Sequence, residues 1–244
     1  AVSAARCGAN TALIERYGIL GGMMTSGAVH PILGNTAPNT MYQEVCALLN
    51  EGHENVPKDT TRNGSEIHVD PEEAKYRLLK LVCNSGVKLY LQTPIADVCK
   101  DGNRVTGVTV VTQDGLVTLN AKCVVDSTGD GFVAYRAGAE YHVGRESDGR
   151  CQPLSTEFTL ENVDEARAIT CWGGSDPVTM PDGKKFSVFC REAHDRGELP
   201  ENVTIVRLHR TFYPGERNVN ATQVNGLDSL HAEGITDAEL KLRG

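Results

Sequence analysis

The chain has 244 residues, of which 40% are hydrophobic and 23% charged, as is ordinary for one large or two modest globular domains. Its net charge of −8 argues against a general nucleic-acid-binding protein, because contacts with phosphate need a clustered basic surface. No apolar run approaches the roughly 20 residues of a membrane-spanning helix, so we expect no membrane span.

The cysteines support neither a metal site nor a disulfide framework. None belongs to a C-x-x-C pair, so we predict no bound metal. They are scattered through apolar segments, which favours reduced thiols in a cytoplasmic protein. The first ten residues lack the basic and apolar regions of a secretory signal. The cysteines are Cys7, Cys46, Cys83, Cys99, Cys123, Cys151, Cys171 and Cys190.

Residues 1–15 have the pattern of the back half of a βαβ unit. Residues 1–10 predict the last turns of a helix that stops at Gly8, and Thr11–Glu15 predict a short buried strand. In a nucleotide-binding sheet, an acid at the end of such a strand accepts hydrogen bonds from a ribose, and a glycine-rich turn lies about 20 residues before it. No such turn precedes Glu15, so we expect that the chain begins partway through the unit.

A glycine-rich segment and two helices are predicted next. Residues 18–34 contain five glycines and predict an irregular loop whose backbone approaches a ligand closely. Residues 40–52 predict an amphipathic helix. Asp70, Pro71 and Glu73 predict the N-cap, first position and capping box of a further helix that stops at Gly86. Its apolar stripe is expected at Tyr76, Leu79, Val82 and Cys83, with Leu78 beside it.

The central part of the chain predicts β-structure followed by a ligand-binding crossing. Strand 87–93 leads to hairpin turns at Asp101-Gly102 and Asp114-Gly115, which predict a three-stranded antiparallel meander over 95–119. A buried strand at Cys123–Val125 then precedes Asp126–Gly131 and a helix. Ligands commonly bind at such strand-to-helix crossings.

The pattern changes after Gly144. We predict a different sheet, a helix over 186–196, a strand over 203–213, and a final helix with Thr236 as N-cap. The chain is therefore divided into an α/β domain over residues 1–146 and an incomplete α+β substrate or cap domain over residues 147–244.

Three segments resemble FAD-dependent oxidoreductases with the two-dinucleotide-binding, glutathione-reductase-like fold. AARCGANTALIERYGILGGMMTSG is similar to the early part of the bacterial branch that has G-x-x-G-G-x-x-T-x-G after the acidic residue. VVDSTGDGFVAYRAGAEYHVGRESDGRCQP is similar to its second signature, which contains T-G-D and then G-R-E-x-D-G-x-x-Q-P. VNATQVNG resembles a third segment. The resemblance implies a Rossmann-like FAD/NAD(P)-binding domain, and a fragment that lacks the first G-x-G-x-x-G turn and the C-terminal portion.

The resemblance implies roles for the first cofactor-binding residues. Glu15 would accept hydrogen bonds from the adenosine ribose, with a surface acid as the alternative. Arg16 would cover adenine or pair with phosphate, and a solvated base is the alternative. The loop would pass beside the pyrophosphate and the isoalloxazine ring, offering backbone N–H groups and hydroxyls. Its residues are Gly21, Gly22, Thr25, Ser26 and Gly27.

Two further segments would contact the cofactor. Ile95 and Ala96 would hydrogen-bond adenine through their backbone. Thr128, Gly129 and Asp130 would lie near the ADP end, and for Asp130 the equal alternative is a cap on the next helix.

The candidates for catalysis and substrate recognition are histidines and arginines. His30 follows the loop and can exchange protons near neutral pH, although a lone histidine is more often structural. His209, Arg210 and Arg217 lie in the expected substrate region, where guanidinium groups can clamp a carboxylate, or form a solvated strand edge. Gln152 and Pro153 match the signature without an assigned mechanism.

The predicted function is hydride transfer between a small organic substrate and the flavin, with an electron acceptor that the sequence does not identify. The alternative is a non-catalytic remnant or interaction module of the flavoprotein fold. An NAD(P)-binding protein without flavin fits the loop after Glu15 less well. No motif indicates covalent attachment of the flavin, and a homo-oligomer is compatible with the sequence.

Overall fold

The computed structural model describes residues 1–33, 40–53, 66–169, 178–227 and 231–243. Within these ranges the chain is mixed α/β, with one parallel strand pair and three antiparallel sheets. The helices are α1 (Val2–Arg6), α2 (Met41–Leu49), α3 (Pro71–Asn84), α4 (Phe132–Ala137), α5 (Phe186–Asp195) and α6 (Ala232–Arg243). The strands are β1 (Ala12–Ile14), β2 (Pro31–Leu33), β3 (Glu66–His68), β4 (Lys88–Tyr90), β5 (Ile95–Asp101), β6 (Arg104–Thr112), β7 (Gly115–Asn120), β8 (Glu157–Leu160), β9 (Arg207–Arg210) and β10 (Arg217–Asn220).

The chain divides into two compact units, of which the first comprises Ala1–Gly21 and Lys75–Val143. In this unit α1 leads into β1, which pairs in parallel with β4, so that Leu13 lies opposite Leu89. The predicted strands around residues 11–15 and 87–93 are thus confirmed in shorter form.

The predicted meander is confirmed as the sheet β5–β6–β7. Val98 lies opposite Val108 and Val110 lies opposite Val117 in its antiparallel ladders. Helix α4 packs against β5, where Arg136 forms a 3.0 Å ion pair with Asp97 and its neighbour Ala137 accepts a hydrogen bond from Lys100.

The predicted strand at Cys123–Val125 is wrong. Residues 123–125 form no strand and pair with no ladder among the described residues. The Val125 side chain is 82% exposed. An apolar run becomes a strand only when a neighbouring strand accepts its backbone hydrogen bonds, and the described residues provide no such neighbour here.

Helix α3 begins as predicted, but its buried face is only partly the predicted one. Asp70 Oδ1 accepts hydrogen bonds from the backbone N–H groups of Glu72 and Glu73, as an N-cap does. The buried stripe is formed by Ala74, Leu78 and Val82, which follow one another at i, i+4 and i+8. Val82 of the expected stripe and the adjacent Leu78 are thus buried as predicted, whereas Tyr76, Leu79 and Cys83 are exposed. Alanine is a weak hydrophobic signal, so the sequence pattern did not identify Ala74 as the first residue of the buried stripe.

The second unit comprises Gly22–Ala74 and Gly144–Gly244. It therefore includes residues 22–74 as well as the whole region expected for the second domain. Strands β2 and β3 are antiparallel, with Pro31 opposite His68. The segment predicted as an irregular loop thus ends in a strand, although Gly34 lies outside the described residues. Strand β10 is central in the sheet β8–β10–β9, where Asn218 lies opposite both His209 and Thr159.

Helix α5 supplies a hydrophobic core in the second unit. Phe186 and Cys190 are buried on one face of this helix. They pack against Ile169, Val178, Met180, Leu199, Ile205, Val206 and Leu208. The predicted helix over 186–196 is confirmed. The final helix is present, but it begins at Ala232, so Thr236 lies inside it and is not the N-cap.

Candidate functional site

Glu15 lies at the carboxyl edge of the parallel strand pair, where α/β sheets commonly bind ligands. Its backbone N–H donates to Tyr90 O at 2.8 Å, and its carbonyl accepts from Thr93 N at 2.9 Å. Glu15 Oε1 accepts a 2.8 Å hydrogen bond from Tyr17 N, which orients the carboxylate. Ile95 begins β5 two residues after Thr93, so the chain expected to contact adenine starts beside this edge.

Arg16 is exposed beside Glu15, and its guanidinium carbon lies 4.8 Å from the ring centroid of Tyr17. This stacking holds the cation at the surface. It fits either of the roles considered for Arg16.

The loop after Gly21 is a compact turn that uses its own backbone groups. Gly22–Met24 form a single turn of 3-10 helix. Gly22 O accepts hydrogen bonds from Thr25 N at 3.1 Å and from Gly27 N at 3.2 Å. The N–H groups of Thr25 and Gly27 are therefore engaged within the turn, and the expected contacts of this loop with the flavin stay a prediction. Ser26 is exposed at the tip.

Asp126 organises the segment before α4, a role that sequence reasoning missed. Asp126 Oδ1 accepts hydrogen bonds from the backbone N and the hydroxyl of Thr128, and Oδ2 accepts from Ala134 N at 2.9 Å. Thr128 Oγ1 accepts from Phe132 N at 2.8 Å. Burial alone would raise the pKa of Asp126, but these hydrogen bonds outweigh it and lower the pKa.

Asp130 is not the cap of α4. The N-cap position is occupied by Gly131, and the first N–H groups of the helix are served by Asp126 and Thr128. Gly129 has a φ of +87°, which favours glycine, and a Cβ added there would meet no atom within 4 Å. Open space therefore lies beside the backbone at the position where close approach of a ligand was expected.

His30 belongs to a buried polar cluster in the second unit. The cluster has buried side chains from four segments: His30, His68, Asp70, His209 and Asn218. Backbone pairing continues the β2–β3 ladder, because His30 O accepts a 2.8 Å hydrogen bond from Val69 N. Asn218 Nδ2 donates to Ala28 O at 3.1 Å, which ties the chain before His30 to β10. The structure thus brings together two of the predicted histidines, His30 and His209.

The His30 ring lies in an environment that favours its neutral form. It is 7% exposed, and its Nδ1 has no hydrogen-bond partner among the described residues. Burial lowers the pKa of His30 below its usual value; Glu216 and Asp70 oppose this effect, and His209 adds to it. A neutral histidine at pH 7 can accept a proton.

Asp70 connects the cluster to the surface. Its Oδ2 accepts a short hydrogen bond from the hydroxyl of Tyr213, which is half exposed. Burial alone would raise the pKa of Asp70, but the hydrogen bonds from Tyr213, Glu73 and Glu72 outweigh it and lower the pKa. The same contact raises the pKa of Tyr213 to about 12. Asp70 is therefore an anion near His30, and the hydroxyl of Tyr213 donates a hydrogen bond to it.

Glu157 is a second unforeseen titratable group beside this cluster. Its Oε1 accepts from Asn220 Nδ2 at 2.9 Å, while Oε2 is buried without a partner among the described residues. Burial raises the pKa of Glu157, although His209 and the amides of Asn218 and Asn220 reduce the shift. No local sequence signal marks these residues, because the sheet brings them together.

The side chain of Arg217 is buried and forms an ion pair with Glu165. Its side chain is 3% exposed, and its Nη1 and Nη2 lie 2.7 and 2.9 Å from the two carboxylate oxygens of Glu165. Arg217 holds the pKa of Glu165 at about 2, and Arg210 also acts on this carboxylate. The guanidinium is already neutralised, which favours a structural role over the substrate clamp that we predicted.

Among the described residues, no helix is long and apolar enough to cross a membrane, and no group of three or more histidine, cysteine, aspartate or glutamate residues is arranged to hold a metal ion.

Solved structures resemble this chain in fold. A geranylgeranyl bacteriochlorophyll reductase-like protein from Thermoplasma acidophilum matches with a TM-score of 0.53 and 14% identity over 90% of this chain and 52% of its own. The chain thus spans about half the length of that protein. THI4 from Thermovibrio ammonificans matches at 22% identity, with a TM-score of 0.43 over 59% of this chain and 60% of its own. Glycine oxidase from Bacillus cereus matches at 15% identity, with a TM-score of 0.35 over 73% and 39%. The last two scores are too low to add to the argument.

A family model decides the relationship. The model described as FAD dependent oxidoreductase matches residues 1–244, which is the whole chain. FAD is the cofactor of that family, as the resemblance of the three sequence segments implied. The chain therefore belongs to the FAD-dependent oxidoreductase family.

Proposed function

We propose that the protein transfers a hydride between a small organic substrate and FAD, and that His30 is the catalytic base. The observation that carries the proposal is the buried His30 ring, whose pKa is lowered and whose Nδ1 is unpartnered among the described residues. Family membership supplies the redox cofactor. The finer parts of the proposal are a Rossmann-like domain over residues 1–146, a substrate domain over residues 147–244, and an external electron acceptor.

The residues of the first unit fit one end of FAD. Glu15 presents a carboxylate at the edge of the parallel strands, with Tyr17 N–H holding one oxygen. A carboxylate in this position can accept hydrogen bonds from both hydroxyls of a ribose. Gly129 leaves open space beside its backbone. FAD, when bound, supplies a two-electron acceptor, and the protein supplies orientation and proton transfer.

His30 would handle the proton in the proposed reaction. Oxidation of an alcohol or amine removes a hydride from carbon and a proton from oxygen or nitrogen. A neutral imidazole accepts that proton and becomes a cation. Asp70 and Glu216 stabilise the cation, because both act to raise the pKa of His30. In the reverse reaction the same imidazolium returns the proton.

His209 and Arg210 remain in the proposal as residues of the substrate side. His209 is buried, and it contributes to the lowered pKa of His30. Arg217 is paired with Glu165 and serves a structural role in this proposal. The seven described cysteines are free thiols, which supports a reducing compartment such as the cytoplasm; Cys171 lies outside the described residues.

The first test is whether the purified protein retains flavin absorbance after addition of FAD and desalting. We expect retention, and a roughly tenfold to hundredfold weaker affinity in Glu15→Gln, since charged hydrogen bonds contribute about 1.5–3 kcal/mol. Glu140→Gln, an exposed acid of the same unit, is the matched control. A folded protein that retains no flavin would favour the non-catalytic alternative if a longer chain that includes the first G-x-G-x-x-G turn also retains none.

The second test addresses His30. Anaerobic bleaching of bound flavin is screened with small alcohols, amines and hydroxy acids. With a reactive compound, we expect His30→Gln to slow flavin reduction by about 10²–10⁴-fold while flavin affinity stays unchanged. An unchanged rate of reduction in His30→Gln would remove His30 from the mechanism and leave the family assignment intact.

A further inference from the structure

The Q-P signature has no role in the proposed hydride transfer, yet it helps to form a pocket in the second unit. The pocket has a volume of about 680 Å³, which is in the usual range of small-molecule sites. It is formed by two segments of the chain, residues 144–153 and residues 223–226. Both segments belong to stretches that resemble the flavoprotein branch, and about 70 residues separate them along the chain. The lining residues are Gly144, Arg145, Arg150, Cys151, Gln152, Pro153, Gln223, Asn225 and Gly226.

The two segments are fastened to each other directly beside the pocket. Leu154 and Val224 exchange backbone hydrogen bonds of 3.1 and 2.9 Å. Thr222 Oγ1 accepts from Thr156 N and donates to Thr156 O, both at 2.8 Å. Gln152 and Gln223 therefore lie on two segments that are already held together. This limits how far the backbone would have to rearrange when a ligand binds.

The loop over residues 144–150 is closed on itself. Arg145 N donates to Arg150 O at 3.1 Å, and Gly149 N donates to Arg145 O at 2.8 Å. Gly144 has a φ of +71°, and a Cβ added there would lie 2.0 Å from Gly149 O. Only glycine fits this position, so the loop has a specified shape and presents its arginines from a fixed backbone.

The charged side chains that line the pocket are both cations. Arg145 forms two hydrogen bonds of 2.5 Å with Asp148, and this pair lowers the pKa of Asp148 to about 2. Arg150 Nε lies 3.6 Å from the same carboxylate. One carboxylate thus faces two guanidinium groups, and neither Asp148 nor the exposed Glu146 lines the pocket. The guanidinium of Arg150 makes no closer ionic contact among the described residues.

We infer that this pocket binds a small organic anion through the Arg150 guanidinium. A guanidinium presents parallel N–H donors that match the oxygens of a carboxylate or a phosphate. Side-chain amides complete the lining, and Gln223 Nε2 donates to Asn225 Oδ1 at 3.2 Å, which leaves the Asn225 NH₂ group as a further donor. Asp148 holds Arg145 in place. Because one carboxylate offsets only one of the two arginine charges, the pocket lining keeps a net positive charge.

Anion binding goes beyond the proposed hydride transfer and can be measured without it. Titration calorimetry of the protein with sodium malonate and, separately, with sodium phosphate compares the two anions at constant low ionic strength. We expect one-to-one saturation, and a loss of about tenfold in affinity in Arg150→Gln, which corresponds to about 1.4 kcal/mol. Arg150→Lys should lose less, since it keeps the charge and loses only the paired donors. Arg167→Gln, an exposed arginine of the same unit, should bind as the wild type does.

The relative affinities identify the source of the anion. Tighter binding of malonate assigns the site to a carboxylate ligand, and tighter binding of phosphate assigns it to a phosphorylated one. Both outcomes support the inference. Equal affinities in the wild type and Arg150→Gln, or no saturation by either anion, would overturn it. Flavin retention in the same samples reports separately on the proposed function.

Discussion

The ion pair between Glu165 and Arg217 gives the sharpest test of how the second unit is built. Glu165→Gln keeps the shape of the side chain and removes its charge. Arg217, which is 3% exposed, is then left as a buried cation that retains its bonds to the carbonyls of Glu216 and Ile169. If the pair is structural, the protein should lose stability. If Arg217 were a substrate clamp, stability should change little.

The magnitude follows from the exposure of the two partners. Lowering the pKa of Glu165 from 4.5 to about 2 sets an upper bound of about 3.4 kcal/mol on the contribution of the carboxylate. The Glu165 side chain is 40% exposed, so solvent screening reduces this to about 1–2 kcal/mol. The incompletely compensated charge of Arg217 adds to the cost, and we expect a total of about 2–3 kcal/mol.

The assay is urea denaturation at pH 7 and at pH 3, with Glu161→Gln as the control for loss of an exposed acid in the same region. Because the folded pKa of Glu165 lies below its unfolded value, its contribution is present above pH 4.5 and is lost as the pH falls towards about 2. The difference between wild type and Glu165→Gln should therefore shrink at pH 3. Equal stability of the two proteins at pH 7 would refute the structural assignment of Arg217.

Three further predictions concern Asp70, Asp126 and Leu49. Asp70→Asn should lower the pKa of His30 further, because it removes a charge that raises this pKa; NMR titration of the ring measures it, and an unchanged pKa would contradict the contact. Asp126→Ala should destabilise the protein by about 1–2 kcal/mol in thermal denaturation, whereas Asp130→Ala should cost less than about 0.5 kcal/mol; the reverse order would restore Asp130 as the cap. Leu49→Ala should cost about 2–5 kcal/mol in the same assay, since Leu49 is 2% exposed, and a cost below about 1 kcal/mol would contradict its burial.

Local signals were sufficient where the structure uses local interactions. The N-cap at Asp70, the stop at Gly86 and the two hairpin turns of the meander each depend on residues within a few positions of one another, and all were predicted correctly. The strand at Cys123–Val125 and the face of α3 depend on what packs against them. Propensity and hydrophobicity carry no information on that partner, so the predicted strand was wrong and the predicted face of α3 was only partly right.

In the candidate site, too, local features were predictable from the sequence and long-range contacts were not. Glu15 was predicted from its position after a short strand, and the structure places it at the edge of the parallel pair. The contact between Asp70 and Tyr213 spans 143 positions, and the proximity of His30 to His209 depends on two different sheets. Sequence reasoning could name these residues singly but could not group them, because grouping arises from the tertiary fold.

The arginines show why grouping decides function. Arg217 and Arg150 are the same residue type in segments of similar polarity, and the sequence singled out Arg217 because it lies near the end of the chain expected to bind substrate. In the structure Arg217 is buried against a carboxylate of its own, whereas Arg150 is exposed at a pocket with only a 3.6 Å contact to a shared acid. An arginine can bind an anionic ligand only if its charge is not already neutralised by a carboxylate of the same protein. By this criterion Arg150 is a better candidate than Arg217 for the recognition of an anionic ligand.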